Sequence, residues 1–352
     1  MGFIALILAL VIEQFRPLPR DNAVHRAGAL VADAISGSTD AGRHRHGLLG
    51  WALAVGAAVL AVVLAEWALG AVSTVLVFAL HVTVLYFTVG FRQFSHAFTE
   101  IQLALAAGDL EGARQALQRW IRQQDPDFVI GEPSVSELCR IAIARALIAA
   151  HRHVFGPLFW YILLPGAIGP VLYRAAQFLA ERWAGGGHDP IAAVPDPAVP
   201  PSGAPLVVPL PARDEPYGSF AQRAYGWIDW LPVRLAAAGF AIVGNFEDAV
   251  YCWRAAASSS GIDAQRRILL MTGGGALGLR LADPRIEADV RGEPLVPDAD
   301  PSLASGPTGG FDWSGTEADP AGLRSAVGLV WRSVVLWILL FAMLTIANWL
   351  GR

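Results

Sequence analysis

The sequence predicts an all-α polytopic integral membrane protein with about four to five membrane helices, a cytoplasmic helical hairpin and Pro/Gly-rich loops. Three observations carry that prediction. Of the 352 residues, 54% are apolar and only 16% are charged, against about 25% charged in soluble domains. Long apolar runs recur along the chain, and about 20 apolar residues at 1.5 Å rise each cross a hydrocarbon core about 30 Å thick. Between the runs, prolines, glycines and arginines collect in polar connections.

Region 1–47 opens with a short apolar segment, Phe3 to Ile12. It lacks the basic n-region and small-residue cleavage site of a secretory signal, so it reads as a retained anchor. Region 48–91 is the strongest membrane signal, because Glu66 is its single charged residue; its length predicts a transmembrane hairpin of two spans. In region 92–153, Phe94, Phe98, Ile101 and Leu105 recur at helical spacing. Gly108 then breaks the run, and Asp109 can cap a second helix carrying Ala113, Leu117 and Trp120. A further helix is predicted from Glu137 to His153, with Leu138, Ile141, Ala142, Ala144 and Leu147 as its apolar set.

Region 154–181 begins with the uncharged run Val154 to Tyr173, which contains Pro157, Pro165 and Pro170. It predicts a proline-broken span, tolerated at depth where protein or a water-filled cavity satisfies the freed backbone groups. Region 182–226 is Pro- and Ala-rich and reads from Gly185 to Gly218 as an extended linker. Region 227–246 predicts a charged membrane-embedded helix, and region 247–326 is polar, with a Gly-rich turn and a loop over Pro284 to Ala321. Region 327–352 supplies a C-terminal span whose run from Ser333 to Leu350 is uncharged. Trp160, Tyr161, Trp331, Trp337 and Trp349 lie near segment ends, as interfacial aromatics do.

Arginine counts orient the chain. Regions 13–47 and 92–153 hold five and seven Arg, 182–226 holds three, and 247–326 holds seven. The positive-inside tendency puts the Arg-rich regions in the cytoplasm and 182–226 on the opposite side. A multi-pass protein of the bacterial inner (cytoplasmic) membrane is the expected setting, with the lipid bilayer as its main partner.

Composition also excludes chemistry. All 26 basic residues are Arg, so no Schiff-base lysine, lysine nucleophile or P-loop lysine is available. The basic residues are scattered and the net charge is -4, which excludes a basic stripe for nucleic acid. Cys139 and Cys252 lie far apart without a C-x-x-C partner and read as ordinary reduced cysteines.

Candidate site residues come from polar groups in apolar settings. Gly273, Gly275 and Gly278 form a literal G-x-G-x-x-G after the strand-like Ile268 to Met271, but the alternating α/β pattern that a dinucleotide site requires is missing. The glycines are read as serving close packing or a turn. His96 and Glu100 stand at i and i+4 on one helix face; two ligands make no metal site, and no metal is assigned. His151, Arg152 and His153 precede a membrane entry and read as interfacial anchors. Charges in a membrane segment line a cavity or pair with each other. Asp229 and Arg234, flanking Pro232 and followed by Asn245 and Glu247, are therefore expected to meet at a site, with Pro157 of the broken helix as a second wall.

Several short stretches together resemble the CobD/CbiB family of membrane proteins. They are Tyr86-Phe87-Thr88 leading to Gly108-Asp109-Leu110, Pro157-Leu158-Phe159-Trp160, Asp229-Trp230-Leu231-Pro232-Val233-Arg234-Leu235, and Gly275-Ala276-Leu277-Gly278-Leu279-Arg280-Leu281. The last looks like the family's late G-A-L-G-x-R-L element. The resemblance implies adenosylcobinamide-phosphate synthesis in cobalamin assembly, an ATP-dependent amide formation with a corrinoid as ligand and ATP and Mg²⁺ as cofactors. The chain departs from the family pattern at three places. Glu13 to Pro19 replaces a G-D-P and H-P pattern, Ala149 to Gly156 replaces an E-N-x-x-D-G run, and Ala176 to Glu181 replaces D-S-x-x-G-Y. The chain also resembles the related AmpE, which implies as the alternative a non-catalytic membrane signalling or accessory protein that binds a small-molecule ligand or partner.

Overall fold

The computed structural model describes residues 2–16, 23–39, 44–122, 133–184, 218–257, 264–281 and 315–351. The linker expected over Gly185 to Gly218 lies outside these residues except for Gly218, and so does the loop from Pro284 as far as residue 314. Among the described residues the fold is all-α, and the single extended pairing is a parallel bridge between Leu279 and Thr316. In chain order the helices are α1 (Gly2–Phe15), α2 (Ala23–Thr39), α3 (His44–Val72), α4 (Thr74–Thr88), α5 (Phe91–Ala106), α6 (Leu110–Arg122) and α7 (Val135–Ala150). A π-helical turn (His151–Phe155) leads into α8 (Gly156–Leu163), α9 (Ile168–Ala184), α10 (Ser219–Val243), α11 (Phe246–Ala257), α12 (Ala264–Leu277) and α13 (Pro320–Leu350).

Among the described residues three helices are long and apolar enough to cross a membrane, Gly47–Val72 within α3, Ser219–Val243 and Pro320–Leu350; Gly2–Phe15 and Thr74–Thr88 are shorter apolar helices. Outward-facing Leu53, Leu60, Leu64 and Trp67 on α3, and Leu339, Leu340, Met343 and Leu344 on α13, stay exposed. Rows of exposed apolar side chains along helices of that length suit lipid rather than water. The expected hairpin over Leu48 to Phe91 is uneven. It turns at Ser73, whose extended backbone lets its side chain accept the Val75 N–H. The returning α4 has 15 residues, about 22 Å at 1.5 Å per residue, short of the roughly 30 Å core.

The segment Val154 to Tyr173 does not cross as one broken span. α7, the π-turn and α8 are continuous from Val135 to Leu163; the chain then reverses, and α9 returns against α8. Each proline accounts for one part of this path. Pro157 has no N–H, which leaves the carbonyl of His153, four residues back, without a helical partner. Gly90 N–H, at the α4–α5 junction, donates to that carbonyl at 3.1 Å. Pro165 drives the preceding Leu164 into extended backbone, φ -100 and ψ 145, as prolines do. Pro170 falls in the first turn of α9, where N–H groups lack intrahelical partners anyway. At the tip, Gly166 has φ +69, and a Cβ there would strike the Glu66 carboxylate. A Cβ at Gly169 would strike the Trp160 carbonyl, so the two helices touch backbone to backbone.

Because α9 returns, its C-terminal end meets the N-terminal half of α3. Leu179 and Trp183 pack with Val55 and Ala32, and Arg182 donates to Asp33 at 2.7 and 2.6 Å. α10 starts beside them, with Phe220 edge-on to Trp51 at 5.8 Å. α9 therefore ends, and α10 begins, at the same end of the bundle as α2, whereas the arginine count placed region 182–226 on the side opposite to 13–47.

The helical hairpin α5–α6 forms as expected. Gly108 turns at φ +77, and the Asp109 side chain accepts the Gly112 N–H at 2.8 Å to cap α6. The segment Ile268 to Met271, read as strand-like, is helical and belongs to α12. Gly273 and Gly275 are buried there, where a Cβ would meet Leu147 and the Asp248 carbonyl at 2.6 Å each. The glycine run thus brings α12 against α7 and α11, and Gly278, at φ +73, makes the turn that follows. Cys139 and Cys252 are free and buried, and burial pushes both thiols up to about 11, so they stay protonated at neutral pH.

Gly166→Ala places a side chain in left-handed backbone against Glu66, which costs about 1–3 kcal/mol. The expected outcome is a lower midpoint of thermal unfolding in detergent, while Gly37→Ala, where nothing lies within 4 Å of an added Cβ, leaves the midpoint unchanged or higher.

Candidate functional site

The most polar buried region lies where the π-turn, α9 and α10 meet. A π-turn adds a residue to the helical repeat and marks functional sites often. Here it follows from Pro157 and from Gly156, whose missing side chain admits the Tyr173 ring. The turn presents His151, Arg152 and His153. α9 supplies Tyr173, Gln177 and Glu181 at successive i, i+4 positions, with Arg174 alongside, and α10 supplies Tyr225 and Asp229, also four apart.

Asp229 is buried and is held by two donors. Its Oδ1 accepts from His151 Nε2 at 2.7 Å and from the Tyr173 hydroxyl at 2.9 Å. Since Tyr173 gives its proton to Asp229, the Tyr225 hydroxyl donates to Tyr173 across 3.0 Å. His151 is 2% exposed. Its Nε2 carries the proton toward the carboxylate, and its Nδ1 is buried without a hydrogen-bond partner. Nearer the surface, Arg174 Nη1 donates to His153 Nδ1 at 3.0 Å and to Gln177 Oε1 at 2.8 Å. Glu181 Oε1 accepts from Gln177 at 3.0 Å and from Arg152 at 3.1 Å. Burial works against the charge on Arg152, but Glu181, Tyr225, Tyr173 and Asp229 outweigh it and hold the guanidinium above its ordinary range.

The segments 149–156 and 176–181 face each other across α8–α9, joined by Arg152 and Glu181, and Arg174 beside the second segment reaches His153 in the first.

The expected pairing of Asp229 with Arg234 is not formed. Five residues on a helix turn about 500°, which leaves the two side chains about 140° apart. Asp229 points inward, whereas Arg234 Nη1 donates to the Trp230 carbonyl at 2.9 Å and its guanidinium lies 4.0 Å over the Trp230 ring. Asn245 opens α11, its amide donating to Asp248 at 2.6 Å and its backbone N–H to the Ala276 carbonyl at 3.0 Å. Glu247 is exposed beside it. His96 is exposed on α5, and Glu100 accepts from Arg119 of α6 at 2.6 Å. Pro157 is buried at the start of α8 and shapes the site through the backbone.

His151, read from the sequence as an interfacial anchor, is instead a central member of the site. Tyr173, Gln177, Glu181 and Tyr225 were not singled out; their i, i+4 spacing within apolar segments is the signal that marks them.

A second polar cluster sits at the hairpin tip. Glu66 Oε1 accepts from His81 Nε2 at 3.0 Å and from the Ala167 N–H, at the start of α9, at 2.7 Å. The Tyr161 hydroxyl donates to the Gly2 carbonyl at 3.1 Å and lies 3.4 Å from His81 Nδ1. This cluster anchors the tip to α3, α4 and the start of α1.

Removing Asp229 strips a buried partner from His151 and Tyr173, so Asp229→Ala costs about 1–3 kcal/mol, while Arg234→Ala costs less than about 0.5 kcal/mol. In thermal unfolding, a double-mutant cycle is expected to couple Asp229 with His151 by about 0.5–3 kcal/mol and Asp229 with Arg234 not at all.

A family model described as CobD/Cbib protein matches residues 3–183, a stretch that contains the π-turn, the hairpin and Glu66. The Cobalamin biosynthesis protein CobD of Stutzerimonas stutzeri (strain A1501) is 26% identical over 352 residues, which is 99% of this chain and 98% of that protein. The protein of the same name from Chromobacterium violaceum (strain ATCC 12472) is 30% identical over 226 residues, 62% of this chain and 60% of its own. No solved structure matches the chain. With a family model covering half of the chain, and with its hairpin and site-bearing turn inside the matched stretch, the chain belongs to the CobD/CbiB family.

Proposed function

We propose that this protein serves cobalamin assembly in the bacterial inner membrane as an adenosylcobinamide-phosphate synthase. It joins a corrinoid carboxyl to an aminopropanol-type amine in an ATP-dependent amide formation. The observation that carries this reading is the match over nearly the whole length of a relative named for cobalamin biosynthesis. The site adds a His-carboxylate pair and two tyrosine hydroxyls within an apolar bundle, groups suited to orienting an amine and managing its protons.

The cofactors that the reading implies fit this site unequally. Arg152 and Arg174 have the chemistry for phosphate oxygens. Mg²⁺ needs several oxygen ligands, yet among the described residues no three His, Cys, Asp or Glu side chains converge to hold an ion. This donor set does not fit the ion. The same observation favours a second reading, an AmpE-like accessory protein that uses the scaffold to bind a ligand or partner without catalysis.

Deletion of the gene separates the two. On the synthase reading, growth in a vitamin-dependent medium is restored by cobinamide and not by cobyric acid. Normal growth of the deletion strain on cobyric acid, with no other synthase gene present, overturns that reading, and loss of β-lactamase induction in the same strain supports the accessory one.

A further inference from the structure

We propose that His151 is the proton acceptor for the amine in this reaction, acting through Nδ1, with Asp229 as its positioning residue. The inference rests on the amide-forming reading above and adds a role that the reading does not contain. Three observations meet in it. His151 is 2% exposed, so its ring is held inside the protein rather than waving in solvent. Its Nε2 is tied to Asp229 at 2.7 Å, and Asp229 is itself fixed by Tyr173 at 2.9 Å. Its Nδ1 is buried and has no hydrogen-bond partner.

The tautomer follows from these bonds. A carboxylate can only accept, so Nε2 carries the hydrogen and Nδ1 offers a bare lone pair. Buried polar atoms in native proteins are nearly always matched, and an exception calls for an explanation. An N–H of the amine supplies one. Arg152, the next residue along the turn, is partly exposed and reaches Glu181, so the site's polar groups extend from His151 to the surface.

The step balances as follows. The amine arrives as an ammonium, which has no lone pair for attack, and one of its protons passes to His151 Nδ1. The imidazolium that results stays paired with Asp229. The free amine nitrogen forms a bond to the activated carboxyl carbon as the bond from that carbon to its phosphate leaving group breaks. The electron pair leaves with the phosphate, which takes the second amine proton.

The test uses the full-length protein in lipid nanodiscs and compares two amines at neutral pH. One is an aminopropanol-type amine, mostly protonated in solution; the other is hydroxylamine, which is already unprotonated. His151→Gln is expected to lose about 10²- to 10⁴-fold in rate with the first amine and less than about tenfold with hydroxylamine. Asp229→Asn is expected to show the same contrast at smaller size. Equal losses with both amines, as from a damaged fold, overturn the proposal, and so does an unchanged rate in His151→Gln. A wild-type protein that forms no amide with either amine overturns the synthase reading and the proposal with it, whereas an active wild type with an indifferent His151→Gln overturns the proposal alone.

Discussion

A proline cannot donate a backbone hydrogen bond, and at position 157 that one missing N–H shapes everything around it. The His153 carbonyl is released from the helix and is taken by Gly90, which pins the α4–α5 junction to the interior rod. The rod passes through a π-turn instead of kinking apart, and that turn is where His151, Arg152 and His153 are presented. Substituting a donor at 157 would let His153 bond within its own helix, and the junction would lose its acceptor. The site therefore depends on a backbone defect resolved by a distant segment.

The second constraint is the cost of a carboxylate in apolar surroundings, which must be met by hydrogen bonds or charges. The protein meets it twice with the same residue types. Glu66 takes a histidine and a backbone N–H, with Tyr161 behind the histidine. Asp229 takes a histidine and a tyrosine hydroxyl, with a second tyrosine behind. The two clusters sit on the same helical hairpin, one at its tip and one at the π-turn. Glu66 has all its partners supplied by helices and backbone and reads as an anchor. In the Asp229 cluster the histidine keeps a buried ring nitrogen unmatched, and the chemistry is assigned to that atom.

The polar groups of the site are carried by two segments of the CobD/CbiB-family stretch that are held together in space. Segments 149–156 and 176–181 lie against each other, and Arg152 with Glu181, and Arg174 with His153, connect them. The late Gly275 to Leu281 element plays a packing role in the same scaffold: its first glycine lies against the α11 backbone, and Arg280 N–H donates to the Thr316 carbonyl at 3.0 Å.

Hydropathy and local periodicity were enough to define an all-α membrane protein, the α5–α6 hairpin with its Gly108 turn and Asp109 cap and the apolar terminal helix, and short motifs were enough for the resemblance to the family, because each rests on residues adjacent in sequence. Asp229 was marked for the same reason, as a charge in an apolar run. What adjacency could not show is pairing. Asp229 and Arg234 are neighbours in sequence and diverge around the helix, whereas Asp229 and His151 are 78 residues apart and share a hydrogen bond. The prolines of Val154 to Tyr173 were legible as breaks, but whether the chain kinks onward or turns back depends on Gly166, on its fit against Glu66 and on the room for α9 beside α8. Those are decided only when α3 and α9 are packed together, and with them the end of the bundle at which α9 stops.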